Sequence, residues 1–202
     1  LMTAGALRTF IRSDPDIIMV GDLRDLETAE ACVNAAMTGH LVLTAMLPAD
    51  APSVVSRLVD MGLEPFLAGA SLAAILAQRL VRRVCPHCAE EYEPSPSLLR
   101  RLSAKTDLDV AHATFRRGKG CQECRGFGYR GRTGLFELME VDHRLRELIA
   151  RPTPTDDLRA AAVDGGMTTM LKDGIEKAMQ GITTVEEVMR VMSPGLPEAP
   201  KP

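Results

Sequence analysis

Hydrophobic residues in the first part of the chain recur in a pattern that predicts alternating helices and strands. Ile17–Val20 and Leu41–Met46 are short apolar runs of the kind found in parallel sheets, and we expect Ile17–Val20 to be buried on both faces. Between them, residues 26–37 repeat apolar side chains at helical spacing, with Asp25 as the predicted N-cap and Gly39 as the stop. This alternation indicates an α/β fold.

The pattern changes twice further along the chain. Asp50 is placed to cap a helix that ends at Gly62, and an Ala/Leu-rich stretch predicts one long helix from Pro65 to about Arg83. From Cys85 to about Arg132 the sequence is rich in Cys, Pro, Gly and basic residues and has little periodicity, which predicts a loop-rich module.

Helical periodicity returns beyond Gly134. Asp142 is a predicted N-cap, Gly181 a predicted stop, and Thr184-Val185-Glu186-Glu187 has the spacing of a capping box. The Pro-rich end is expected to be disordered. We therefore expect four segments, which are residues 1–84, 85–133, 134–192 and the tail 193–202.

Composition excludes several classes of protein. The 202 residues are 46% hydrophobic and 25% charged, as in ordinary globular proteins, and the net charge of −3 argues against a chain that binds nucleic acid over its whole surface. No secretory leader is visible, and the longest charge-free stretch, residues 65–78, is too short to span a bilayer. We expect a soluble protein. Because the chain begins at Leu1, close to a candidate functional helix, we also expect it to be the carboxyl-terminal part of a longer one.

Four cysteines form two knuckles, Cys85-Pro86-His87-Cys88 and Cys121-Gln122-Glu123-Cys124. Two residues between thiols allow one tight turn to aim both sulfurs at a metal, and two such turns complete a closed tetrahedral Zn²⁺ shell. Two disulfides are the competing interpretation, which a reducing compartment disfavours. A redox pair is a poor fit because there are two knuckles in Gly/Arg-rich surroundings. With all four positions filled, the predicted zinc is structural.

Basic residues surround the second knuckle. A zinc ribbon with such a fringe could bind nucleic acid, which is the alternative from a different functional class. The fringe could instead face an anionic membrane surface or an acidic partner, or simply be solvated. Its members are Arg116, Arg117, Lys119, Arg125, Arg130 and Arg132.

A carboxylate, Asp22, follows the first apolar run and is therefore placed at the carboxyl end of a predicted strand. Open α/β sheets bind ligands at that edge, and in nucleotide hydrolases such an acid holds Mg²⁺ or positions the attacking water. An ordinary Gly-Asp turn is the structural alternative. Arg8 and Arg12 precede the strand and lie one helical turn apart.

Together these motifs resemble the second half of the secretion ATPases of type II secretion and type IV pilus assembly. The family has Arg-x-x-x-Arg-x-x-Pro-Asp, an apolar strand ending in Gly-Glu-x-Arg-Asp, a helix and Gly-His-Leu-Val. The resemblance extends from about Leu7 to about Val191. It includes Gly126-Phe127-Gly128-Tyr129-Arg130-Gly131-Arg132-Thr133-Gly134 after the second cysteine pair. Retraction-type relatives lack the cysteines, so the resemblance narrows to type II secretion or pilus extension.

The resemblance implies the carboxyl-terminal half of a RecA-like P-loop NTPase domain, followed by the zinc module and a helical end. It implies that Arg8 and Arg12 reach nucleotide phosphates and that Asp22 is the acid at Mg²⁺ and water. It also implies that Arg24 is one of the nucleotide-binding residues and serves an inter-subunit contact. His40 matches the histidine of Gly-His, with a structural hydrogen bond as its alternative. The implied parent is a cytoplasmic homohexamer that uses ATP and Mg²⁺ and docks on an inner-membrane platform.

Three departures from the family leave the enzymatic activity open. No Gly-x-x-x-x-Gly-Lys-[Ser/Thr] phosphate loop occurs in these 202 residues. Asp22 is one methylene shorter than the family's glutamate, which leaves its carboxylate about 1.5 Å short, when a misplacement of about 1 Å can cost roughly a hundredfold in rate. Leu47 replaces a histidine at the nucleotide and can neither donate nor carry charge. The parent is therefore an ATPase or a catalytically degenerate paralogue within such a ring.

Overall fold

The structure is a computed structural model that describes residues 4–192, except for the side chains of Ala4 and Arg8. Contacts divide the chain into two compact units. Unit 1 comprises Leu1–Ala77 and Leu138–Met167, and unit 2 comprises Gln78–Glu137 and Thr168–Pro202. The tail predicted to be disordered, 193–202, lies outside the described residues.

Helices and strands alternate at the start of the chain, as predicted. In chain order the elements are α1 (Ala4–Ile11), β1 (Ile17–Asp22), α2 (Leu26–Met37), β2 (Leu41–Ala45), α3 (Pro52–Asp60), α4 (Pro65–Ser71), β3 (Ala74–Val84), β4 (Ala89–Tyr92), α5 (Pro96–Ser103), β5 (Phe115–Gly118), a 3₁₀ helix (Gln122–Cys124), β6 (Tyr129–Glu140), α6 (His143–Ile149), α7 (Thr155–Asp164), α8 (Met170–Met179) and α9 (Val185–Met192).

Unit 1 is built around the parallel pair β1 and β2, in which Ile18 lies opposite Val42. The inward side chains of β1, Ile18 and Val20, are buried in one hydrophobic core with residues from α2, α3, α6 and α7. Helices α4 and α6 approach closely at Gly69, because a Cβ there would lie 2.8 Å from the carbonyl oxygen of Arg146. This core is what supports the end of β1.

The expectation that Ile17–Val20 is buried on both faces is wrong. Residues of β1 alternate between buried and exposed, and Ile17 and Met19 are 60% and 79% exposed. The core covers only the face that carries Ile18 and Val20. A parallel strand gives a continuous apolar run when both faces are covered, so the run alone cannot tell which face the rest of the chain packs against.

The long helix predicted from Pro65 to about Arg83 is also wrong. Helix α4 ends at Ser71, and Ala74–Val84 is strand β3, which pairs with β6. Local helix propensity is weak, and pairing with a strand more than 40 residues away overrides it. The same pairing explains why the first helix after Gly134 begins only at His143, since β6 continues to Glu140.

Unit 2 contains the predicted loop-rich stretch, which includes more regular structure than the sequence indicated. Strands β4 and β5 pair antiparallel, with Tyr92 opposite Phe115. Buried residues of α5, β5, α8 and α9 form a separate core that includes Leu102, Phe115 and Ile175.

The predicted caps are largely as expected. Asp25 accepts a hydrogen bond from the Thr28 backbone N at 2.9 Å, and Asp142 accepts one from the Leu145 backbone N at 2.8 Å. Among the described residues, no helix has both the length and the apolar character needed to cross a membrane.

Candidate functional site

Cys85, Cys88, Cys121 and Cys124 come together in unit 2. The first knuckle connects β3 to β4, and the second includes the 3₁₀ helix. Sγ–Sγ distances are 3.9 Å for Cys85–Cys121, 3.8 Å for Cys88–Cys124 and 3.7 Å for Cys121–Cys124. All four sulfurs lie within 4.8 Å of one another. A tetrahedral zinc with bonds of about 2.3 Å separates its sulfurs by about 3.8 Å, so the cluster has the dimensions of such a site.

Backbone amides stabilise negative charge at this cluster. The amides of Cys121 and Gly128 both donate to Cys124 Sγ at 3.2 Å. Burial opposes ionisation of Cys124, but these amide hydrogen bonds lower its pKa to about 6. Burial raises the pKa of Cys88 to about 12. Four thiolates at these distances would repel one another strongly, so the donor set fits a divalent cation, which would offset half of their charge.

Backbone hydrogen bonds connect the first knuckle to the segments on either side of the second one. Cys85 N donates to Gly128 O at 2.9 Å, and Lys119 N donates to Cys88 O at 3.1 Å. Gly128 has φ +73°, and a Cβ there would lie 2.3 Å from the Gly118 carbonyl oxygen. A residue with a side chain would therefore separate the strands that hold the cysteines. This is a structural reason for the Gly126-Phe127-Gly128 part of the signature.

Asp22 lies at the carboxyl end of β1, as the sequence predicted. Its Oδ2 accepts a hydrogen bond from the Arg24 guanidinium at 2.6 Å; the Asp22 side chain is partly exposed and that of Arg24 is exposed. Leu23 N donates to Ala45 O at 2.8 Å, so pairing with β2 continues past the acid. Thr44 Oγ1 donates to Gly21 O at 2.9 Å. The carboxylate is thus presented to solvent at the edge of a parallel pair, where α/β proteins bind ligands.

The remaining candidates for nucleotide binding are separate from this pair. Arg12 is exposed just after α1, and the side chain of Arg8 lies outside the described residues. His40 Nδ1 is 3.0 Å from Ala35 O and 3.1 Å from Thr38 Oγ1. Because a carbonyl only accepts, this geometry puts a proton on Nδ1 and gives His40 a local structural bond.

Leu47 is 89% exposed, so its apolar side chain is not part of a core. The position therefore has room for the larger, polar histidine of the family.

The sequence analysis did not predict that the buried carboxylate of Glu187 forms an ionic cluster with two arginines. Glu187 was identified only as part of a capping box, and Thr184 Oγ1 does accept from its backbone N at 3.1 Å. Its carboxylate instead binds two guanidinium groups, Arg82 at 2.7 Å and Arg190 at 2.7 Å. Arg82 also stacks 4.3 Å above the centre of the Tyr129 ring. The available signal was a glutamate on the otherwise apolar side of α9.

Comparison with known proteins defines the class. Residues 1–190 match the family described as "Type II/IV secretion system protein", and the chain belongs to that family. The chain is 47% identical over 189 residues to the type IV pilus assembly ATPase PilB of Thermus thermophilus, which covers 94% of this chain and 21% of the relative. It is 44% identical over 188 residues to type II secretion system protein E of Pseudomonas aeruginosa, and the match covers 93% of this chain and 37% of the relative. The chain thus spans well under half the length of these relatives.

Solved structures agree at the level of the fold. A structure of the pilus retraction motor PilT with bound ADP has a TM-score of 0.62 and 26% identity, covering 95% of this chain and 43% of PilT. A structure of the Legionella pneumophila ATPase DotB has a TM-score of 0.65 and 21% identity, and the match covers 94% of this chain and 42% of DotB. DotB is an ATPase by description and PilT a motor with bound ADP, and the similarity assigns this chain an α/β ATPase fold.

Proposed function

We propose that this chain is the carboxyl-terminal part of an ATPase that powers type II secretion or type IV pilus assembly. The match of residues 1–190 to the family carries the proposal, together with 44–47% identity to a pilus assembly ATPase and a type II secretion protein E. The parent would be a cytoplasmic homohexamer with a RecA-like motor domain. It would bind the inner-membrane platform and docking proteins of its system as a peripheral protein.

In this proposal the end of β1 contributes to nucleotide hydrolysis. The carboxylate of Asp22 is partly exposed, where Mg²⁺ or an attacking water could bind, and Arg24 holds it in place from 2.6 Å. Arg8 and Arg12 would contact phosphates, because a planar guanidinium suits their spread charge. His40 would contribute through Nε2, since Nδ1 is hydrogen bonded locally. Bound Mg²⁺ would neutralise charge on the terminal phosphates.

The cysteine cluster would have a structural role in the same protein. Cys85, Cys88, Cys121 and Cys124 would hold one Zn²⁺, and the spacing of their sulfurs supports this. Since all four tetrahedral positions would be occupied by thiolates, the metal would offer no open site for substrate. Its effect would be to fix the two knuckles, and with them the ends of β3 and β6.

Steady-state ATP hydrolysis by the parent protein tests the proposal. Asp22→Asn should lower turnover at least tenfold, because it removes the charge that Mg²⁺ or water requires. Asp60→Asn is the matched control, since Asp60 is exposed on α3 of the same unit and outside the motifs that carry the resemblance. Equal turnover of both variants and the wild type would contradict the assignment of Asp22.

The 202-residue chain alone gives a second test. Because it contains no phosphate-loop motif, we expect it not to bind labelled ATP with micromolar affinity. Tight binding would show that its nucleotide site is complete and of another kind.

A further inference from the structure

Unit 2 contains a cleft of about 500 Å³ next to the first cysteine knuckle. Its basic lining residues are Arg83, Arg116 and Arg130, and its apolar lining includes Val84 and Ile182. The volume lies in the range of pockets that hold ligands or peptide side chains. The cleft thus combines guanidinium groups with an apolar floor.

Local structure holds the cleft open from two sides. Val84 N donates to Ile182 O at 2.9 Å, so the end of β3 and the turn after α8 form one wall. The chain reverses direction at Gly181, which has φ +71°. The aliphatic part of the Arg116 side chain packs against this glycine, because a Cβ on Gly181 would lie 3.0 Å from Arg116 Cδ. The glycine thus makes room for the arginine to lie along the cleft.

Most acidic groups near the cleft already have partners. Glu90 pairs with Arg117 at 3.3 Å, and Glu123 pairs with Arg130 at 2.9 Å. In contrast, Arg83 and Arg116 form no ion pair with any residue between 4 and 192 whose side chain is described.

The residue opposite Arg116 on the neighbouring strand does not neutralise its charge either. Glu91 lies opposite Arg116 in the β4–β5 register, yet no ion pair joins these two described side chains. The cleft therefore carries positive charge that the surrounding residues do not neutralise.

The sign of this charge is opposite to that of the rest of the chain. Unit 2 contains 16 Arg and Lys against 12 Asp and Glu, whereas unit 1 contains 8 against 15. A chain with a net charge of −3 thus concentrates its positive charge in one unit. Such a patch attracts acidic partners and raises their rate of encounter.

We propose that this cleft binds acidic side chains from an extended segment of a partner protein. Arg83 and Arg116 would each take a carboxylate, for which the guanidinium fork has the matching geometry. The apolar floor would contact the aliphatic part of the same segment. The site shares no residue with the candidates for ATP hydrolysis proposed above.

Other anionic ligands fit the cleft less well. None of its described lining residues is Phe, Tyr or Trp, so a base of a nucleotide or a nucleic acid would have only the His87 ring and the guanidinium planes to stack on. A bilayer surface is flat on this scale and would not enter a concave site. Inorganic phosphate would use the guanidinium groups but leave the apolar floor uncovered.

Fluorescence anisotropy with the 202-residue chain tests the proposal. The probe is a labelled decapeptide with four glutamates separated by leucine and alanine, and its control has glutamines instead. We expect the glutamate peptide to bind at least tenfold more tightly. Arg83→Glu and Arg116→Glu should each weaken it about tenfold, or about 1.4 kcal/mol. Arg101→Glu is the matched control, because Arg101 is exposed on α5 in the same unit and outside the cleft, and it should change affinity less than twofold.

Several outcomes would overturn the proposal. One is an equal loss in all three variants, since that would indicate general charge attraction. Another is the absence of a difference between the two peptides. A third concerns competition with phosphate, a 12-nucleotide single-stranded DNA and phosphatidylglycerol vesicles. If any of these displaces the labelled peptide at a lower concentration than the unlabelled peptide does, the proposal is rejected. If a reversal variant unfolds at a lower temperature, Arg83→Gln and Arg116→Gln replace the pair, and unchanged peptide affinity in these also rejects the site.

Discussion

The carboxylate of Glu187 holds Arg82 from a distance of 105 residues in the chain. It accepts from the Arg82 backbone N at 3.0 Å and from its guanidinium at 2.7 Å. The Glu187 side chain is fully buried, whereas Arg82 is about half exposed. Thr183 Oγ1 adds a bond to Arg82 O at 2.8 Å. The start of α9 is thereby joined to β3, three residues before Cys85.

Removal of the charge on Glu187 should destabilise unit 2. Glu187→Gln leaves Arg82 and Arg190, which are each about half exposed, with a neutral partner, and the loss of these charge-assisted hydrogen bonds should cost about 2 kcal/mol in free energy of unfolding. Urea denaturation of the chain is the measurement. Glu93→Gln is the control, because Glu93 is exposed in the same unit, and it should change stability by less than about 0.5 kcal/mol. Equal effects of both changes would mean that the buried pair adds nothing.

The same carboxylate predicts a loss of stability at acid pH. Burial opposes its ionisation, but hydrogen bonds from Arg190 and Arg82 lower its pKa to about 2, from an ordinary value of 4.5. A lowered pKa in the folded state means that the contribution is complete above pH 4.5 and is lost as the pH falls towards 2. Unfolding free energies measured between pH 2 and 6 should therefore fall more steeply for the wild type than for Glu187→Gln. Parallel curves would contradict the lowered pKa.

Zinc content provides a direct test of the cysteine cluster. We expect close to one equivalent per chain by metal analysis, and Cys121→Ser should lower both zinc content and thermal stability. Cys32→Ala is the matched control, since Cys32 is buried in α2 of unit 1 and should leave the metal bound. Two disulfides and no metal in the purified chain would reject the site.

A single added methyl group should disrupt the glycine contact behind the second knuckle. In Gly128→Ala the new Cβ would meet the Gly118 carbonyl at 2.3 Å and would also strain a residue with φ +73°. We expect a loss of about 3 kcal/mol or more, with weaker zinc retention. Gly126→Ala separates the two causes, because Gly126 has φ +81° but nothing within 4 Å of its Cβ position. It should cost about 1–2 kcal/mol, from strain alone.

Restoring the family's residues should raise the turnover of the parent protein if their loss impairs catalysis. Asp22→Glu lengthens the carboxylate, and Leu47→His returns a donor to an exposed position that can accept it. Both changes act on the transition state, so the gain should appear in kcat more than in KM. ATPase assays of both single variants and the double variant are the measurement. A fast wild type that both changes slow would mean that the site is adapted to Asp22 and Leu47, and the degenerate-paralogue hypothesis would then be rejected.

Features that depend on neighbours in sequence were predictable. The caps at Asp25 and Asp142 bind amides three residues onward, and each cysteine knuckle is a single tight turn. The family itself followed from such short motifs, and the match over residues 1–190 confirms it. The position of Asp22 at a strand end was predictable for the same reason, because the apolar run before it is local.

The tertiary structure decided what depends on distant partners. Ala74–Val84 is a strand because β6 pairs with it, although its own composition favours a helix. Glu187 is a buried anion because Arg82 reaches it, and Gly128 must lack a side chain because Gly118 passes beside it. Local propensities amount to a few tenths of a kcal/mol per residue, whereas strand pairing and buried ion pairs bring larger energies from remote parts of the chain. These terms have no signature within a short window of sequence, so only the folded chain specifies them.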